Sequence, residues 1–137
     1  MASNHSISAL VREHYPEYYR WNSYPAAECA CIRKIDDEWG VFSNFARTPV
    51  VVEGVVFKST EQLYQSMKFT DEQSVRVMYQ KNSKQWAKRL ENQGKRRADW
   101  GKMLVDAMKF CLMTKYEQVA EFRQELERSR GKHIVED

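Results

Sequence analysis

Glu61, Gln65 and Lys68 stand at i, i+4 and i+7. That spacing puts an acid, an amide and an ammonium on one side of a helix. A carboxylate in the first turn of a helix lies near the positive end of the helix dipole, which favours its ionised form. An ionised carboxylate suits the stabilisation of developing positive charge. The same spacing also describes a solvated stripe, in which each pair contributes roughly 0.2–0.5 kcal/mol. A second group is Phe42-Ser43-Asn44-Phe45. A loop Asn either bonds its own backbone or offers a donor and an acceptor to a base or ribose edge. A third group is Arg96-Arg97-Ala98-Asp99-Trp100. A guanidinium beside an indole suits a phosphate and a stacked nucleobase, and Trp100 also suits a core anchor at the start of a helix.

These residues need elements to hold them. Ser59-Thr60-Glu61-Gln62 fits a capping box, which predicts a helix from Ser59 to about Phe69. Upstream, Pro49 to Phe57 holds two β-branched runs around Glu53-Gly54, a hairpin signal. Cys29 to Ile35 reads as a strand. Downstream, a helix after Asp71 is predicted to turn Val75, Met78 and Tyr79 inward, and another runs from near Ser83 to Gly94. Met103, Leu104, Ala107, Met108, Cys111 and Leu112 form the stripe of a helix that Asp99 can cap. A last helix carries Val119, Phe122 and Leu126 and ends before Gly131, and Ile134-Val135 is a final extended piece. The predicted class is α+β, a mostly helical single domain over residues 28–137 with a small antiparallel sheet. Residues 1–27 read as an N-terminal helical extension, broken near Pro16. Its aromatic face, with Tyr15, Tyr18, Tyr19 and Trp21, either packs on the domain or docks a partner or second copy through residues 10–21.

Composition narrows the classes. The chain has 137 residues, 42% apolar and 30% charged, which fits a folded domain and argues against wholesale disorder. No apolar run approaches the ~20 residues of a membrane span, so no membrane partner is expected. Met1 to Ser6 does not read as a secretory signal, and three cysteines, an odd number, fit a reducing, cytoplasmic setting. Cys29-x-Cys31 with His133 is a poor zinc set, and His5, His14 and His133 lie near the chain ends, away from any His-based triad. There is no phosphate-binding glycine loop and no nucleophile elbow. Neither a metal nor a cofactor is expected. Residues 81–102 hold eight basic side chains against Glu91 and Asp99. Such a block is either a solvated helix face or a seat for phosphate or a nucleotide.

Taken in order, these segments resemble the YbiA-like or NADAR family of NAD- and ADP-ribose-associated proteins. The matching pieces are Gly40-x-Phe42-Ser43-Asn44-Phe45, Pro49 and Gly54, then Thr60-Glu61-x-x-Tyr64-Gln65-x-x-Lys68-Phe69 and Ala87. Arg97-x-x-Trp100, Met108, Lys115-Tyr116-x-Gln118 and Ile134-Val135-Glu136 complete the set. The resemblance covers about residues 31–137 and implies an N-glycosidase that cuts the bond between a nitrogen and C1 of a ribose. It implies either of two substrates: a ribosylamino-pyrimidine phosphate of riboflavin synthesis, or ADP-ribose on guanine in nucleic acid. By the same analogy Glu61 is the catalytic carboxylate. Phe42, Ser43, Asn44, Gln65, Lys68, Arg97, Trp100 and Glu136 stand on family positions around the substrate. Lys115 is a rival for the central role, because a lysine can attack an opened ribose aldehyde to form a Schiff base. Three departures stand out: Gln62 where the family has His, Leu63 for an aromatic, and Ile32-Arg33 for an aromatic pair. The family also continues past this Val-Glu with a segment that helps close the site. Those departures keep open a non-catalytic module that binds ADP-ribose or a nucleotide.

Overall fold

Most elements follow from local sequence. A computed structural model describes residues 6–20 and 22–136; Met1 to His5, Trp21 and Asp137 lie outside the described residues. The class is α+β and mostly helical, as the sequence predicts. Residues 6–20 with 61–111 form one compact unit, and residues 22–60 with 112–136 form another.

The first unit opens with helix α1 (Ile7–His14), capped by the Ser6 hydroxyl, which accepts from the Ala9 N–H at 3.2 Å. Leu10 is buried and, with His14, faces Gly101, where a Cβ would lie 2.9 Å from the Leu10 side chain. The aromatic residues on either side of Pro16 reach the same part of the chain. The Tyr15 hydroxyl donates to the Lys102 carbonyl, and Lys109 Nζ donates to the Tyr18 hydroxyl at 2.6 Å.

Helix α2 (Thr60–Ser66) is buried along its whole length, which excludes the solvated-stripe reading of Glu61, Gln65 and Lys68. It ends earlier than the predicted Phe69 because its last turn tightens. The Lys68 N–H bonds the Gln65 carbonyl at 3.3 Å and the Phe69 N–H bonds the Ser66 carbonyl at 3.4 Å, the i→i−3 pattern of a 3₁₀ turn. Helices α3 (Asp71–Met78) and α4 (Ser83–Asn92) pack through Val77, Ala87 and Leu90 around Phe69. The inward set predicted for α3 is corrected here. Val75 and Tyr79 are exposed and Val77 is the fully buried residue, because an eight-residue helix offers the core little more than one position.

Helix α5 (Trp100–Gln118) buries Trp100, Leu104, Ala107 and Cys111 in succession. Leu112, placed on the predicted stripe, is 37% exposed, and the inward line instead continues through Thr114 and Lys115. The second unit contains those last turns of α5 and helix α6 (Ala120–Arg128). It also holds strands β1 (Cys29–Ile32), β2 (Val50–Val52), β3 (Val55–Phe57) and β4 (His133–Glu136). β2 and β3 form the predicted antiparallel hairpin, with Val51 opposite Val56. Glu53 and Gly54 turn it at φ of 50° and 78°, the positive values a tight two-residue turn requires. β1 pairs with β4 in parallel, Cys29 opposite His133 and Ile32 opposite Glu136. The core of this unit is Ala30, Trp39, Phe42 and Phe122, with Val119 and Leu126 packed against it. Among the described residues no helix is long and apolar enough to cross a membrane.

Gly40 starts the 3₁₀ turn Gly40–Phe42, and a Cβ there would fall 2.0 Å from the Ile35 carbonyl oxygen. That atom is backbone and cannot swing aside. Gly40→Ala is expected to destabilise the protein by at least about 2 kcal/mol, beyond ordinary overpacking of a core. Urea unfolding of the two proteins measures it, and an unchanged midpoint would contradict the close approach.

Candidate active site

The residues singled out in the sequence fall into two sets. In the unit containing residues 61–111, Glu61, Gln65 and Lys68 are 7%, 5% and 7% exposed. Glu61 Oε1 accepts from Gln65 Nε2 at 2.7 Å, the i, i+4 contact their spacing predicts. Gln65 Oε1 is buried with no hydrogen-bond partner among the described residues. Lys68 Nζ donates to Glu91 Oε1 at 2.6 Å and lies 5.9 Å from the centre of the Tyr64 ring and 6.0 Å from that of Trp100. Tyr64 meets Trp100 edge to face at 5.3 Å. Trp100 is fully buried and its indole N–H has no partner among the described residues.

This surrounding is apolar enough to act on two neighbours, Tyr64 and Cys111. Burial, reinforced by the Glu61 charge, raises the Tyr64 phenol above its usual range. The same two causes push the Cys111 thiol up to about 12. Arg97 is half-buried. Its guanidinium donates to both oxygens of Asp99, at 2.6 and 3.1 Å. Those hydrogen bonds, ahead of any other cause, hold the Asp99 carboxyl below its ordinary value. The Arg97 N–H also bonds the Lys68 carbonyl at 2.8 Å, so the loop before α5 is tied to the end of α2.

Sequence reasoning named Arg96 only as part of a run and missed Glu91 as its partner. Glu91 bridges Lys68 and Arg96, at 2.6 and 3.9 Å, and Arg96 is buried while most of the surrounding basic block is exposed. The available signal was the scarcity of acids, Glu91 and Asp99 amid eight cations.

The second set lies in the unit containing residues 22–60 and 112–136. Phe42 is a core residue, stacked on Trp39 at 5.5 Å and edge-on to Phe122 at 5.9 Å. The Ser43 hydroxyl accepts from the Phe45 N–H at 3.1 Å, and the Ser43 carbonyl accepts from Lys115 Nζ at 2.9 Å. Asn44 Oδ1 accepts from the Thr60 hydroxyl at 3.1 Å. Lys115 is fully buried, with Nζ 4.9 Å from the centre of the Phe122 ring. Glu136 is exposed, on the last position of β4. Among the described residues no group of three or more His, Cys, Asp or Glu side chains is arranged to hold a metal ion, and all three cysteines are free thiols.

Comparison with known proteins follows the same residues. The NADAR domain profile matches residues 32–137. N-glycosidase YbiA of Shigella boydii is 33% identical over 102 residues, and N-glycosidase YbiA of Escherichia coli is 31% identical over the same length. Each alignment takes in 73% of this chain and 64% of the relative. The NMR structure of the E. coli protein YbiA superposes with a TM-score of 0.66 at 29% identity, over 77% of this chain and 64% of the other. The chain therefore spans 64% of the length of these relatives.

Lys115 gives a test that assumes no activity. Burial pushes its pKa down to about 8 from 10.5, and the Glu121 charge opposes the shift. The folded protein thus releases this proton at lower pH than the unfolded chain. Between about pH 8 and 10.5 the unfolded state binds more protons, so this group makes stability rise with pH across that window. Relative to Lys115→Met, the wild type is expected to gain stability as pH rises through it. Urea unfolding at several pH values checks this, and a pH-independent difference would contradict it.

Proposed function

The chain belongs to the NADAR domain family, and from that premise we propose that it is an N-glycosidase acting on a phosphorylated ribosyl substrate. The observation that carries the reading is the Glu61 carboxylate, buried and gripped by Gln65 at 2.7 Å beside the Lys68, Tyr64 and Trp100 cluster. Cleavage of an N-ribosyl bond passes through an oxocarbenium-like sugar, and a fixed carboxylate near C1 stabilises that charge. The same carboxylate takes a proton from the attacking water. Oxygen bonds to C1 as the C1–N bond breaks, and the carboxyl passes that proton to the departing nitrogen, which restores the carboxylate. Gln65 keeps the carboxylate in one orientation without neutralising it.

In this reading Lys68 places a cation near the substrate, and Tyr64 and Trp100 form its apolar support. Arg97, fixed by Asp99, borders the same region. Ser43, Asn44 and Lys115, in the unit containing residues 22–60 and 112–136, stand on family positions by resemblance alone. The buried ammonium with its lowered pKa supplies a neutral amine more readily than an exposed lysine. The substrate is ADP-ribosyl-guanine in nucleic acid or a ribosylamino-pyrimidine phosphate.

Incubation with ADP-ribosylated guanine in DNA and, separately, with the pyrimidine intermediates, followed by mass detection of released ribose phosphates, tests both substrates. Glu61→Gln preserves the shape and the acceptor for Gln65 while removing the charge. It is expected to lower kcat by roughly 10²–10⁴-fold, the usual contribution of a positioned acid–base group, with an unchanged circular dichroism spectrum. Full activity in Glu61→Gln would end the assignment. ADP-ribose binding with no turnover of either substrate would establish a binding module instead.

A further inference from the structure

The unit containing residues 61–111 has a cleft of about 320 Å³, at the lower end of the range of small-molecule sites. Its floor includes Gln65 and Lys68, and one edge is Ser6 and Ile7 from the start of α1. The opposite wall is α4 with the loop that follows it. Lys84 and Lys88 are i and i+4 on that helix, so they project on one side. Ala87 and Leu90 turn to the core on the other. Arg96 closes the wall.

Charge in this cleft is one-sided. Lys68, Lys84, Lys88 and Arg96 line it against a single acid, Glu91. Glu91 already accepts from Lys68 and faces Arg96. Like charges gathered on a concave, partly desolvated surface repel one another, and a bound anion relieves that repulsion. A second observation points to a ligand with a hydroxyl donor. Gln65 is 5% exposed and its Oε1 has no partner among the described residues, and an orphaned buried acceptor of this kind is costly. Its Nε2 is already held by Glu61, so the free acceptor is the carbonyl oxygen.

We propose that this cleft is the phosphate subsite: Lys84, Lys88 and Arg96 take a phosphate ester carried on a ribose, and Gln65 Oε1 accepts a ribose hydroxyl. The inference rests on the N-glycosidase reading for its substrate class. It adds which residues hold the phosphate and makes Gln65 the link between that phosphate and Glu61. It also gives Ser6 and Ile7, outside the matched residues 32–137, a place at the edge of the site.

Titration calorimetry with ribose 5-phosphate, and with ribose as the control lacking phosphate, tests the subsite without any turnover. The wild type is expected to bind ribose 5-phosphate at least tenfold more tightly than ribose, with affinity falling as salt rises. The double variant Lys84→Ala/Lys88→Ala is expected to lose tenfold or more for ribose 5-phosphate and nothing for ribose. Both lysines are exposed, so its melting temperature should stay within a few degrees of the wild type. ADP-ribose as a third ligand separates a phosphomonoester site from a diphosphate site by which of the two loses more affinity in the double variant. Equal binding of ribose and ribose 5-phosphate by the wild type, or an unaltered affinity in the double variant, would overturn the subsite. Because the readout is binding, loss of the glycosidase reading through an active Glu61→Gln leaves this result separately legible.

Discussion

Charge can be buried only with a partner, and that constraint organises the residues from Glu61 to Arg97. An ionised side chain withdrawn from water carries a penalty of several kcal/mol, which hydrogen bonds and an opposite charge must offset. Glu61 meets the requirement with an amide from its own helix, so its charge is oriented and not cancelled. Lys68 meets it with Glu91, which Arg96 shares. One acid between two cations leaves the cleft cationic. The arrangement thus keeps a negative group and a positive surface in one unit without letting them neutralise each other.

The second unit solves the same problem with less compensation. Lys115 has a backbone carbonyl and an aromatic ring for company, not a carboxylate in contact. A neutral acceptor satisfies the N–H groups but offsets little of the charge, which is why burial wins and the pKa falls. The contact also fixes Ser43, whose hydroxyl caps the Phe45 N–H, and Phe42 beside it anchors the segment in the core. The Phe42-Ser43-Asn44 segment is therefore held from three sides: by ring packing, by an ammonium on a carbonyl, and by the Thr60 hydroxyl on the Asn44 side chain.

Legibility in the sequence followed the range of the interactions. The Glu53-Gly54 turn, the start of α2 and the Glu61–Gln65 contact depend on residues within four positions of each other, and all three were readable. The α5 stripe was read one side too far, because Thr114 and Lys115 are polar and periodicity counts apolar residues. The α3 face differs for a related reason: Val75, Val77, Met78 and Tyr79 compete for one inward position, and Phe69 and Leu90 select Val77. The parallel pairing of β1 with β4 joins residues about a hundred positions apart, and nothing local specifies it. In the candidate site, the identities of Glu61, Gln65 and Lys68 were visible. The Glu91 bridge and the cleft were not, since they come from the packing of α4 against the end of α2.

The departure at Gln62 can now be weighed against what that residue does. Its Nε2 donates to the carbonyl of Met78, the last residue of α3, so the side chain tethers one helix to the end of the next. A histidine, which the family pattern places here, offers an N–H donor for the same purpose. Exchange of His for Gln therefore keeps a donor for the tether and removes a group that titrates near neutral pH from the position next to Glu61. The Glu61–Gln65 pair draws on neither function: its hydrogen bond is made within one face of α2. A change at residue 62 thus alters the electrostatic setting of the carboxylate and leaves its grip intact. On that ground the departure leaves Glu61 in place.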